Sequence, residues 1–168
     1  MRKTWTMLML MVGAVTLNGS CSAAAGLAWQ NDLEQAKKIA AEKKLPILAD
    51  FTGSDWCPWC VKLDREVFST EAFAKYAQDN LVLLVLDFPR GKKQDPKVAE
   101  RNEALLGKYG VEGFPTVLIM DAGGKELGRL GYERGGPKAY VELIKGIVPK
   151  PAPTAATPPA PTEKAVPK

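Results

Sequence analysis

The chain of 168 residues contains no histidine and three cysteines, Cys21, Cys57 and Cys60. A c-type haem needs histidine directly after the second cysteine of its pair, and Val61 stands there instead. Structural zinc usually takes four nitrogen or sulfur ligands. Without histidine such a site would need carboxylates or a second chain, so no metal is expected. No apolar run approaches the ~20 residues of a membrane-spanning helix; the N-terminal run, Met7 to Val15, is far shorter. A block of charge of one sign is also missing. The 23 Lys and Arg are interspersed with 19 Asp and Glu, which describes a solvated surface and not a nucleic-acid stripe. No nucleic-acid partner is expected, and no internal repeat is visible.

Both ends differ in composition from the middle. Residues 1–25 run from Arg2 and Lys3 through the apolar stretch to small residues, Ala23-Ala24-Ala25. That is the order of a secretory signal peptide, with a cut after Ala25. Cys21 offers an alternative, a lipid anchor on a cysteine following an apolar run. Asn18 occupies the position where that pattern wants Leu, and the cut after Ala25 would remove Cys21. Taking Arg2 and Lys3 from the 23 basic residues leaves 21 against 19 acids, a net charge of +2. Residues 149–168 hold seven of the thirteen prolines, and Val166 is their one sizeable apolar side chain. Such a composition buries too little surface to offset ordering entropy, so a disordered Pro/Ala-rich tail is expected there. Residues 26–148 remain for a single compact domain.

Within that domain, hydrophobic spacing predicts helix, strand, helix, strand, helix, hairpin, helix. Leu33, Ala36, Ile39 and Ala40 mark one face of a helix over 32–44. Leu45 to Phe51 is a buried strand. A helix starts at the cysteines and runs to about Phe68, offering Val61, Leu63, Val67 and Phe68 to the core. A short helix follows with Phe73, Tyr76 and Ala77. Leu81 to Phe88, LVLLVLDF, suits a central parallel strand covered on both faces. Pro89 to Pro96 is an exposed loop, and the helix after it ends at Gly110. Thr116–Met120 and Glu126–Tyr132 form a hairpin. The last helix opens at Gly135-Gly136-Pro137 and turns Tyr140, Leu143, Ile144 and Ile147 inward. The first two strands should be parallel through a right-handed crossover. The class is α/β, a central mixed sheet flanked by helices on both faces.

The stretch DFTGSDWCPWCVKLDREVF, residues 50–68, holds Cys57 and Cys60. With haem and zinc set aside, the pair is either a structural staple or a redox couple. A disulfide stabilises mainly by closing a loop in the unfolded chain, and a loop this short gives little. An offset of three on a helix still brings both sulfurs to one face, within bonding reach. Little stability with easy making and breaking favours the redox reading. Cys57 falls at the helix start, and Pro58 takes the first helical position, which suits proline. Helix N-terminal N–H groups favour a thiolate there. A free cysteine of pKa about 8.5 is about 3% thiolate at pH 7, and a lowered pKa raises that fraction sharply. Cys57 is therefore the expected exposed nucleophile. Cys60, one turn in, is the expected buried resolving thiol.

DFTGSDWCPWC, followed by LLGKYGVEGFPTVLIMDAGGKELGRLGY from Leu105 to Tyr132, resembles the thioredoxin superfamily, most closely its exported bacterial-envelope members. The likeness covers most of 27–148 in the same order. It implies a thioredoxin fold and a thiol–disulfide oxidoreductase acting on protein disulfides. Trp56 matches the tryptophan before the first cysteine. Pro115 matches the family's cis-proline, with Phe114 before it pairing its backbone to a bound substrate chain. Trp56 and Trp59 would frame the sulfurs. Asp50 matches the buried carboxylate beneath the second cysteine, with a raised pKa and a base role toward Cys60. Two departures stand out: Asp50 precedes Cys57 by seven residues, one more than in thioredoxin, and LVLLVLDF lacks the accompanying lysine.

The resemblance implies no bound cofactor, since electrons pass between dithiols. Its partners would be protein disulfides and an upstream thiol donor. A monomer in the periplasm or cell envelope of a bacterium is expected, working as a reductase or isomerase rather than a strong oxidase. The competing expectations are a non-catalytic binding domain on the same fold, and a glutaredoxin-like enzyme suggested by Cys-Pro-aromatic-Cys and Gly135-Gly136.

Overall fold

The structure is a computed structural model, and it describes residues 26–148. The expected signal segment, the Cys21 anchor and the C-terminal tail lie outside the described residues. Ten elements follow in chain order: β1 Trp29–Gln30, α1 Leu33–Lys43, β2 Ile47–Thr52, α2 Pro58–Leu63, α3 Glu71–Asn80, β3 Val82–Asp87, α4 Pro96–Lys108, β4 Thr116–Met120, β5 Glu126–Leu130 and α5 Gly136–Ile147. A π-helical turn, Asp64–Phe68, extends α2. Among the described residues no helix is long and apolar enough to cross a membrane.

Helix starts follow their capping chemistry. Asp32 caps α1 by accepting from the Gln35 N–H at 3.0 Å. Thr70 caps α3 through Phe73, and Asp95 caps α4 through Lys97 ahead of Pro96. Each such cap satisfies a donor that the helix itself leaves open and is worth about 1 kcal/mol. Gly110, with φ +57°, follows α4 in a left-handed conformation that glycine adopts without penalty.

The five strands lie in the order β1-β3-β2-β4-β5. The β1–β3 and β2–β3 pairs are parallel, and the β2–β4 and β4–β5 pairs are antiparallel. The mixed sheet and the parallel first crossover are as the spacing predicted. Two details differ. The two-residue β1, paired to Leu83 and Leu84, is too short to leave a periodic signal. It also moves the sheet's centre to β2, with LVLLVLDF beside it.

Strand alternation divides the core. Ile47, Ala49 and Phe51 face α1 and α4, in a cluster with Leu33, Ala36, Leu84, Leu118 and Met120. Leu48 faces the other side, with Leu63, Val67, Phe73, Val117, Ile119 and Tyr140. Two expected core residues are not there. Val61 is 48% and Leu143 41% exposed. Cys60, Leu63 and Val67 repeat at three and four residues and take the inner face, which leaves Val61, about 100° round from Cys60, outside. In α5 the stripe is Tyr140, Val141 and Ile144, so Leu143 falls behind it.

This helix register is testable by urea unfolding. Ile144→Ala, at a fully buried position, should cost about 2–5 kcal/mol. Leu143→Ala should cost about 1 kcal/mol or less. Equal losses would contradict the register.

Candidate active site

The loop after β2 is tied down on both sides before it reaches the cysteines. The Gly53 carbonyl accepts from the Trp56 N–H at 3.2 Å and the Cys57 N–H at 2.9 Å. A Cβ on Gly53 would lie 2.5 Å from the Trp56 ring, so only glycine fits this close approach. Ser54 donates from its N–H (3.0 Å) and its hydroxyl (2.7 Å) to the two carboxylate oxygens of Asp87, at the end of β3. Asp55 accepts the backbone N–H groups of Arg90, Gly91 and Lys92 at 3.1, 2.7 and 3.1 Å. These bonds, the Arg90 N–H foremost, hold its carboxyl below the usual range. Trp56 Nε1 donates to the Phe88 carbonyl at 2.8 Å.

Cys57 is the N-cap of α2, with Pro58 in the first turn. Its Sγ accepts from the Cys60 N–H at 3.2 Å, and the Gly53 N–H points at Cys60 Sγ from 3.5 Å. The two cysteines are joined as a disulfide, their Cα atoms 5.3 Å apart. Their burial corrects one expectation. Cys57 is 4% exposed and Cys60 3%, so an exposed Cys57 above a deeper Cys60 is not what the bridged pair presents. The Cys57 sulfur is turned back over the first turn of α2, where it bonds Cys60.

Asp50 lies on the α2 side of the sheet, two residues from Leu48 along β2. It is 7% exposed, and its Oδ1 has no hydrogen-bond partner among the described residues. Burial foremost, then the charges of Asp64 and Asp87, push its pKa up to about 8. Asp50 and Cys60 line one cavity of about 440 Å³, together with Trp29, Thr52, Asp64 and Phe68. The expected juxtaposition of Asp50 and Cys60 is therefore present. Asp64 and Asp87 escaped the sequence reading. Asp64, four residues after Cys60, shares a helix face with it, and that spacing could have found it. Asp87 reaches the site through the β2–β3 register, opposite Thr52, which sequence spacing does not reveal.

Aromatic side chains flank the pair on two sides. Trp56 meets Phe114 edge to face, with centroids 5.7 Å apart, and the Arg90 guanidinium lies 3.6 Å over the Trp56 ring. Trp59, 51% exposed, packs on Tyr132 at 5.1 Å, and Lys62 sits over both rings. The Tyr132 hydroxyl donates to Glu66 at 2.6 Å, which lowers the Glu66 pKa. The Phe114–Pro115 peptide bond is cis. Thr116 pairs with Phe51, so Pro115 lies beside the end of β2, where the cysteine loop leaves the sheet. Among the described residues no group of three or more metal-ligating side chains is gathered.

The model of the thioredoxin-like domain matches residues 33–144. The chain belongs to the thioredoxin-like family. Disulfide bond reductase DsbH of Chlamydia pneumoniae is 37% identical to it over 126 residues, 75% of each chain. Thioredoxin-related protein DsbJ of the same organism is 28% identical over 105 residues, 62% of this chain and 30% of DsbJ. A solved DsbH oxidoreductase structure matches with a TM-score of 0.70 at 36% identity, covering 73% of this chain and 85% of that one. A Thermus thermophilus thioredoxin, at 18% identity and a TM-score of 0.55, shares the fold. This thioredoxin-like chain, with its bridged Cys57–Cys60 pair, is a thiol–disulfide oxidoreductase.

The raised pKa of Asp50 has a consequence for stability. In the unfolded chain its carboxyl ionises near pH 4; in the folded protein it holds its proton to about 8. Its contribution is therefore fully present below pH 4 and is lost as pH rises through 8. Oxidised wild type should lose up to about 1.4 kcal/mol per pH unit across that window relative to Asp50→Asn. Urea unfolding at a series of pH values measures this. Parallel pH profiles for the two proteins would show that Asp50 titrates normally.

Proposed function

We propose that this chain is an exported reductase or isomerase of protein disulfides, and not a strong oxidase. The observation that carries the proposal is the Cys57–Cys60 disulfide at the start of α2, over the cavity that Asp50 and Cys60 share. In the reducing direction the Cys57 thiolate attacks one sulfur of a partner disulfide. A mixed disulfide forms and the other partner sulfur leaves as a thiolate, which takes a proton. Cys60 then loses its proton and attacks Cys57 Sγ, releasing the second partner thiol. Two electrons have passed to the partner, and the Cys57–Cys60 bridge remains. An upstream dithiol reverses that bridge, so no bound cofactor is called for.

Asp50 takes the proton from Cys60 in this scheme. The match of proton affinities supports the role. An ordinary carboxylate near pKa 4 would accept a proton from a thiol near 8.5 only at a cost of about 6 kcal/mol. At about 8 the transfer is close to balanced. Trp56 and Trp59 flank the sulfurs, and the Phe114 backbone beside Pro115 receives the partner chain, as the family resemblance implies.

The reducing direction draws support from the 37% identical relative, which is named a disulfide bond reductase. Export draws support from the order of residues 1–25, basic, apolar, then small. We read residues 26–148 as one monomeric catalytic domain and 149–168 as a spacer or tether. An export signal removed after Ala25 is preferred to a lipid anchor on Cys21.

Insulin reduction tests the chemistry. Wild type should accelerate it over dithiothreitol alone, and Cys57→Ser should abolish the acceleration. Cys60→Ser should accumulate a mixed disulfide on Cys57, seen by mass spectrometry. Equal rates for wild type and Cys57→Ser would end the catalytic reading. A reduction potential near about −270 mV would fit a reductase, and one near about −120 mV would overturn the direction.

A further inference from the structure

The loop from Pro89 to Asp95 is built against the active site, and its charges are distributed unevenly. Arg90, Lys92 and Lys93 are exposed. None of the three forms an ion pair with a carboxylate among the described residues. Two of the acids nearby, Asp55 and Asp95, are committed to backbone N–H groups, while Glu103 is exposed. Asp55 spends its carboxylate on three backbone N–H groups of this loop. Asp95 accepts from the Lys97 N–H and caps α4. Backbone amides thus satisfy these two anions; Arg90 lies over the Trp56 ring, Lys92 Nζ donates to the Ser54 hydroxyl at 3.4 Å, and Lys93 faces water, none of the three charge-paired among the described residues. Gln94 also donates to the Asp87 carbonyl at 3.0 Å, so the loop is anchored at its far end too.

Its position makes those cations relevant to the reaction. Arg90 stacks on Trp56, the residue before Cys57, and Trp56 touches Phe114. A cavity of about 300 Å³ lies between them, lined by Trp56, Phe88, Pro89, Arg90, Gln94 and Phe114, with Glu103 on its far wall. A polypeptide held on the Phe114 backbone has this loop on its flank. Beyond Trp59, Lys62 lies over the Trp59 and Tyr132 rings, as Arg90 lies over Trp56, and Glu66 accepts from the Tyr132 hydroxyl, so among these cations the two with no ring partner are Lys92 and Lys93.

We propose that the Arg90–Lys93 loop is a recognition element, and that it selects partner polypeptides carrying Asp or Glu next to the cysteine to be reduced. The proposal rests on the oxidoreductase reading above and adds its specificity. A carboxylate on the partner meets Lys92 and Lys93 across water-exposed surface, where charges act mainly on the association rate and weaken with salt. Exposed pairs of this kind carry up to about fivefold each. Arg90, held against Trp56, puts one positive charge on the residue that precedes Cys57.

The test uses the purified protein, reduced beforehand, and two synthetic peptide disulfides. One has Asp on both sides of its cysteine and the other has Lys. Each rate is divided by the rate of dithiothreitol with the same peptide, which removes the peptide's intrinsic reactivity. Each protein's rate with an uncharged dithiodipyridine divides out any effect on the sulfur chemistry. Wild type should prefer the Asp peptide by about fivefold at low ionic strength, falling toward parity at about 0.5 M salt. Lys92→Gln/Lys93→Gln should bring the ratio to near one, and its melting temperature shows that it is folded. A wild-type ratio of one or below, or a preference that survives in the double variant, overturns the loop's role while the reductase reading stands. If wild type reduces neither peptide, the oxidoreductase reading itself falls, and this proposal falls with it.

Discussion

A slip of one residue in β2 would turn Asp50 from the α2 side of the sheet to the α1 side. Much of the site hangs on that register. All six residues of β2 are buried, clamped by a parallel partner and an antiparallel one. The parallel side sets Thr52 opposite Asp87, the carboxylate that grips Ser54. The antiparallel side sets Phe51 opposite Thr116, which brings Pro115 beside the strand end. Ile47, Ala49 and Phe51 hold the register by filling the opposite face. The apolar packing of one face therefore determines where the chemistry of the other face lies.

The cavity under Cys60 goes against ordinary packing. A carboxyl is buried there with one oxygen unpartnered, and two more carboxylates lie near enough to raise its pKa. An apolar residue would serve stability better at neutral pH. The buried carboxyl holds its proton to about pH 8 in the cavity it shares with Cys60. The π turn beginning at Asp64 belongs to the same arrangement. Such turns are frequent at functional sites, and here it begins at the acid that shares the cavity.

Around the sulfurs, acids act more as fasteners than as free charges. Asp87 fixes the cysteine loop to β3, Asp55 fixes the following loop to the cysteine loop, and Glu66 fixes Tyr132. Each carboxylate consumed this way leaves a neighbouring cation with less to pair with. The rim consequently differs between its two sides. Trp59, Tyr132 and Lys62 form one aromatic-cation cluster and Trp56 with Arg90 another, while Lys92 and Lys93 on the second side are exposed with no ring partner. The hydroxyl of Tyr140, donating to the Gly131 carbonyl at 3.0 Å, holds the Tyr132 side to α5.

Local periodicity carried most of the architecture. Spacings of three to four residues marked α1, α3, α4 and α5, and apolar runs marked β2, β3 and β4, because burial of one face is written into neighbouring residues. The redox pair was equally legible, since Cys57, Pro58 and Cys60 need only a helix start to meet. Asp50 was singled out by resemblance, and its alternation with Leu48 puts it on the α2 side of the sheet. Other features were invisible for one reason: they join residues about thirty or more positions apart. Ser54 with Asp87, Asp55 with Gly91, and Tyr132 with Glu66 meet only after strand register and loop paths are set. The exposure of Val61 and Leu143 is hidden from spacing because a helix stripe can rotate by one residue without changing its period. The equal burial of Cys57 and Cys60 is likewise tertiary, since the bridge turns the first sulfur inward. Sequence alone determined which atoms can exchange electrons. The folded sheet decided which carboxyls gather beneath Cys60 and which cations stand beside Trp56, because both depend on strand register and loop paths.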